Sequence, residues 1–177
     1  MDITQNFFEL FELDASFDLD TQQLSERYRE LQREYHPDRH AHKGEREQRL
    51  AVQATAHLNQ AFDTLKNPLS RAQYLLQQRG VETGEESRGQ LSGAFLMQQM
   101  ELRESLVEAA EADDPFVELE RLEAESKALE AAEYSQFNAA LAAEDLDSAE
   151  VSIRKLQFIT KLLREIEAAE DRLDEEY

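Results

Sequence analysis

His36, Asp38, His40 and His42 place four titratable side chains at every second position of one short stretch, with Pro37 between the first two. Imidazole and carboxylate groups together can hold zinc or nickel, cap helix ends, or present unlike polar groups to another protein. The metal reading asks the ligands to alternate along a loop, with no second ligand cluster elsewhere. The absence of cysteine also removes any thiolate site. Catalysis has less to work with. No Ser or Cys stands near a base as an activated nucleophile, and no glycine-rich stretch is built to cradle phosphate. No catalytic residue, metal or cofactor is therefore expected, and capping and protein recognition stay open for His36-Pro37-Asp38.

The elements that must carry this tripeptide are helical. Proline (3) and glycine (5) are scarce in the 177 residues, and long stretches contain no breaker. Asn6 and Glu9 form a capping-box pattern before the apolar run Phe7, Phe8, Leu10 and Phe11. Asp20 is placed to cap a second helix on which Leu24, Tyr28, Leu31 and Tyr35 share one face, with Arg29 and Arg33 on the other. Pro37 ends that helix, because the residue before proline is pushed out of the α region. A polar loop is expected over 36–44, followed by a helix over 46–66 with Leu50, Ala54, Leu58, Ala61 and Leu65 as its buried stripe. These two helices read as an antiparallel hairpin with the tripeptide at its tip. Asn67 and Pro68 then stop one helix and start the next, over 69–78.

Residues 80–93, rich in Gly, Ser and Thr, read as a linker between halves. Three further helices are expected at about 93–111, 115–142 and 148–175, an antiparallel bundle given their short connections. The net charge of −20 is uneven, −4 over residues 1–76 and −16 over 77–177. Such a field repels phosphate backbones, so no nucleic-acid partner is expected. The start MDITQNFFELFELD is acidic and broken by charges, unlike a targeting peptide. No apolar run nears the ~20 residues of a membrane span. A cytoplasmic, membrane-free protein is the expectation.

The stretch Tyr28-Arg29-Glu30-Leu31-Gln32-Arg33-Glu34-Tyr35-His36-Pro37-Asp38-Arg39, followed by the helix bearing Leu58–Leu65 and the Asn67-Pro68 stop, resembles the J-domain of DnaJ-type co-chaperones. The resemblance implies docking onto the ATPase domain of a DnaK-type chaperone and stimulation of its hydrolysis. It assigns His36, Pro37 and Asp38 to the signal positions, and Arg29, Arg33 and Arg39 to charge-assisted contacts with an acidic groove. Glu26, Glu30 and Glu34 interrupt the basic face, a departure that favours a dedicated chaperone partner.

The second half lacks the glycine/phenylalanine-rich, zinc-binding and β-rich regions of general DnaJ proteins. Its first helix is apolar on two sides. Phe95, Leu102, Leu106 and Ala109 form one stripe, and Leu96, Met97, Met100 and Val107 form another. On the last helix, Leu156, Ile159, Leu163, Ile166 and Leu173 make a core face, while Phe158 points about 160° from its centre. Surplus apolar groups rimmed by acids suit a protein-docking surface, and methionine adapts to a partner's shape.

Ala94–Glu104, Ile153–Phe158 and Asn67–Leu76 are similar to the HscB-type family of J-domain co-chaperones in iron–sulfur cluster assembly, nearly along the full chain. That resemblance implies an HscA-like chaperone, an IscU-like scaffold protein, and no enzymatic activity of the chain itself. It places scaffold binding on Leu96, Met97, Met100, Glu101, Glu104, Glu108 and Phe158, with Met100 where leucine is expected. The implied architecture is all-α, a J-domain hairpin (1–79) packed with a three-helix bundle (94–177), joined by the 80–93 linker.

Overall fold

A computed structural model describes residues 5–40, 44–83 and 90–176. Seven α-helices and one 3-10 turn account for the regular structure there, with no strand among the described residues. The chain divides into two compact units, Met1–Gln78 and Arg79–Tyr177.

In the first unit, α1 (Phe7–Leu10) is a single turn held by the expected capping box: Asn6 accepts from the Glu9 N–H, and the Glu9 side chain accepts from the Asn6 N–H. α2 (Thr21–Tyr35) starts at Asp20, whose Oδ1 accepts from the N–H groups of Gln22 and Gln23. It stops where Pro37 dictates, with His36 extended at ψ 129°. The loop expected after it is partly ordered, since Pro37–His40 wind into a 3-10 turn. α3 (Glu45–Lys66) and α4 (Pro68–Gln77) share Asn67, which caps α4 by accepting from the Ser70 N–H. Arg71 of α4 is buried and donates to the Leu65 carbonyl at 2.9 Å, closing the corner.

The buried stripe of α3 departs from expectation at one end. Leu50 is 55% exposed, and Ala51 takes its place in the core with Ala54, Leu58, Ala61 and Leu65. Steps of three and four residues alternate from Ala51 onward and hold one seam. A four-residue step back to Leu50 rotates off that seam, as a 3.6-residue turn requires. Phe8, Phe11 and Phe17 add to this core from the segment before α2, with Leu24 of α2 and Leu75 and Leu76 of α4.

The second unit contains α5 (Gly93–Ala109), α6 (Pro115–Ala142) and α7 (Leu146–Glu176). Asp114 caps α6 ahead of Pro115, and Glu144 takes the left-handed conformation (φ 57°) in the turn to α7. α6 and α7 pack along most of their length, whereas α5 touches them far more sparsely. Leu102 and Ala109 of α5 join Leu119, Leu122, Leu162 and Ile166 in one apolar cluster. On α7, Leu162 is fully buried with Leu156 and Ile166, whereas the expected Leu163 is only half-buried. α7 is covered by two helices, so its buried arc is wider than a single seam. Part of the expected linker, residues 84–89, and His42 lie outside the described residues.

Candidate functional site

The tripeptide sits where α2 ends and the 3-10 turn begins. Asp38 donates its N–H to His36 Nδ1 at 3.3 Å, and its carboxylate stands 3.6 Å from the same nitrogen while remaining 90% exposed. Arg39 turns back to donate Nη1 to the Arg33 carbonyl at 3.1 Å, satisfying a main-chain acceptor in the last turn of α2. A cleft of about 370 Å³ opens among Gln32, Arg33, His36 and Arg39.

Two contacts hold α2 on α3 beneath this corner. The Tyr28 hydroxyl donates to Asn59 Oδ1 at 2.9 Å, and its ring stacks on Phe62 with centroids 4.0 Å apart. The Thr55 hydroxyl lies 3.1 Å from the Tyr35 carbonyl and 2.9 Å from that of Ala51. The tripeptide is thereby anchored to the packed α2–α3 hairpin, with Pro37 half-buried and the His36 and Asp38 side chains exposed.

Arg29, Arg33 and Arg39 are all exposed, and none forms an ion pair with a described residue. Two of the three acids expected to interrupt this face are engaged elsewhere, Glu30 pairing with Arg27 at 2.6 Å and Glu26 accepting from Gln22, while Glu34 stays exposed near the end of α2. Arg27 also pairs with Glu12. Three guanidinium groups beside an outward aspartate make a surface complementary to an acidic protein.

On α5, the two stripes separate as the helical period requires. Leu102 and Ala109 are buried, while Leu96 (40%), Met97 (63%), Met100 (63%) and Val107 (67%) face solvent. Glu101, Glu104 and Glu108 are exposed on the same outer side. Phe158 is 37% exposed and is less isolated than expected, because its ring meets Phe95 edge to face at 6.2 Å. All seven residues expected at the scaffold surface are solvent-accessible.

Sequence reasoning missed the groups behind this surface. Lys155 pairs with the nearly buried Glu133 at 3.2 Å and stands 5.9 Å from the Phe95 ring centroid. Arg103 pairs with Glu165 at 3.3 Å and donates to Gln99. No periodicity marks either residue, since each acts across two helices.

Residues 6–74 match the family model of the DnaJ domain, and residues 91–167 match that of the HSCB C-terminal oligomerisation domain. A co-chaperone protein HscB homolog from Shewanella loihica is 46% identical over 171 residues, covering 95% of this chain and 99% of the relative. The chain belongs to the HscB co-chaperone family. Among solved structures, the chaperone HscB from Vibrio cholerae is 41% identical with a TM-score of 0.87, covering 96% of this chain and 99% of that one. The human co-chaperone HscB is 29% identical with a TM-score of 0.88, over 96% and 84% of the two chains. The J-domain and the helical C-terminal unit of the HscB family are thus both present. No helix among the described residues is long and apolar enough to cross a membrane.

Proposed function

We propose that this HscB-family chain is an adaptor between two proteins. Residues 1–79, as the J-domain, engage the ATPase domain of an HscA-like, DnaK-type chaperone through His36, Pro37 and Asp38, with Arg29, Arg33 and Arg39 as charged contacts. Residues 94–177, beyond the 80–93 linker, bind an IscU-like iron–sulfur scaffold through Leu96, Met97, Met100, Phe158 and the acids Glu101, Glu104 and Glu108. The chain performs no bond chemistry. It brings client and chaperone together in the cytoplasm and stimulates ATP hydrolysis, which locks the chaperone on the client.

The observation that carries this reading is the outer stripe of α5, three large apolar side chains exposed beside Phe158 and rimmed by carboxylates. Exposed apolar clusters of this kind mark protein contacts. The names of close relatives from Shewanella, co-chaperone protein HscB homologs, support the same role. The test is a steady-state ATPase assay with a purified HscA-like chaperone and IscU-like scaffold. Stimulation is expected with the intact chain and not with Asp38→Asn. No stimulation, or equal stimulation by both, sinks the proposal.

A further inference from the structure

Between the outer stripe of α5 and the face of α7, one side chain gathers four acceptors. Arg103 donates Nη1 to the Gln99 carbonyl at 3.1 Å and to Gln99 Oε1 at 3.3 Å. Its Nη2 reaches the Phe158 carbonyl at 3.5 Å, and its Nε faces Glu165 Oε2 at 3.3 Å. Three of these groups belong to residues with a direct bearing on the docking surface or its support. Phe158 is itself on that surface. Gln99 is buried at 2% exposure beneath it, and its Nε2 has no hydrogen-bond partner. Arg103 therefore supplies the side-chain hydrogen bond that this buried amide does have.

α5 needs such a device. It packs sparsely on its neighbours compared with the α6–α7 pair, and its contacts to α7 include the aromatic and cationic neighbours of Phe95 near its N-terminal end and the Arg103–Glu165 pair further along. Small rotations of α5 would carry Leu96, Met97 and Met100 around the helix axis and break the Phe95–Phe158 contact. A planar guanidinium with five donors in a fixed fork can grip both helices at once, which an ammonium on a flexible stem cannot.

We infer that Arg103 is a positioning residue for the scaffold-docking face, fixing α5 and the Phe158 backbone in the register that presents Leu96, Met97, Met100 and Phe158 together. This inference rests on the scaffold-binding reading above. Arg103 works from behind the surface, through Gln99, Glu165 and the Phe158 carbonyl.

The test compares wild type with Arg103→Leu, Arg103→Lys and Glu165→Gln in the full chain. Affinity for a purified IscU-type scaffold is measured by calorimetry, and the Phe158 ring resonance is followed by NMR in the free protein. Both Arg103 variants are expected to bind about tenfold more weakly, the scale of an interface anchor lost, and to shift the Phe158 ring resonance before any partner is added. Glu165→Gln should shift the resonance in the same direction by a smaller amount. Full affinity in Arg103→Lys would overturn the inference, since it would mean that a positive charge touching the partner is all that counts. An unmoved Phe158 resonance in Arg103→Lys would also overturn it, whether or not Arg103→Leu folds. If wild type does not bind the scaffold at all, the adaptor reading fails, and the resonance still decides whether Arg103 sets the surface.

Discussion

The rings of Phe95 on α5 and Phe158 on α7 meet edge to face, their centroids 6.2 Å apart and their planes at 86°. This arrangement sets the positive edge of one ring against the negative face of the other. It supports Phe158 on one side and leaves it 37% exposed. Phe158→Ala is therefore expected to weaken scaffold binding by about 1–3 kcal/mol, as for an aromatic hot spot. The same change should lower folding stability by only about 1 kcal/mol, because the ring is half supported and not enclosed. Calorimetric titration and urea unfolding of one variant separate the two effects, and unchanged binding would remove Phe158 from the interface.

Much of this arrangement was legible in the sequence because it is local. Caps at Asn6, Asp20 and Asn67, and the stop at Pro37, are decided within four residues and were found where expected. The outward stripe of Leu96, Met97 and Met100 also follows from helical period alone. The exchange of Leu50 for Ala51 was not legible, because two overlapping seams fit the pattern and only packing against the rest of the unit selects one. Arg103 and Lys155 stayed hidden for a related reason. Their partners, Glu165 and Glu133, lie on other helices or far along the chain, and charge counting treats all of them as solvated surface.

The pair of Lys155 and Glu133 has a measurable weight. The Glu133 side chain is only 8% exposed and that of Lys155 22%, so solvent screens their contact weakly. Lys155→Met keeps the stem's volume but leaves a buried carboxylate without its cation. Removing one partner of such a pair costs about 3 kcal/mol. Urea unfolding should show this loss at pH 7, and the double variant Lys155→Met/Glu133→Leu should recover most of it. A single variant as stable as wild type would mean that Glu133 finds water or another donor.

Arg71 plays the comparable part in the first unit. It is 7% exposed, donates to the Leu65 carbonyl at 2.9 Å, and stands over the Phe17 ring at 5.0 Å. One side chain thus joins the end of α3, the start of α4 and the segment before α2. Arg71→Met is expected to destabilise this unit by about 2 kcal/mol, the size of one charged hydrogen bond. Because the Tyr28–Phe62 and Tyr28–Asn59 contacts lie elsewhere on α3, ATPase stimulation should persist below the new melting temperature. Loss of stimulation in fully folded Arg71→Met would show that the corner governs the tripeptide.

Two carboxylates should make stability depend on pH with opposite signs. Burial, then repulsion from Glu123, Asp171 and Asp174, holds Glu170 above its usual 4.5, with Lys127 partly offsetting the effect. A raised acid is stabilised by its proton, so its contribution is full at low pH and lost as pH climbs through the folded value. Glu170→Gln should therefore melt higher than wild type at pH 7, and the gap should close on acidification. Asp145 is held below its usual 3.8 because the Ser148 hydroxyl (2.7 Å) and N–H (3.1 Å) both donate to its carboxylate at the start of α7. A lowered acid stabilises above its unfolded value and loses that contribution as pH falls toward the folded one. Asp145→Ala should accordingly melt lower than wild type at pH 7, with the difference shrinking below pH 4, the acid range set by the usual 3.8. Melting curves of the three proteins from pH 7 to about pH 3 read both slopes in one experiment. Parallel curves for Glu170→Gln and wild type would mean that α7 relaxes around Glu170 enough to hydrate it, and that the crowding by Glu123 costs the fold nothing.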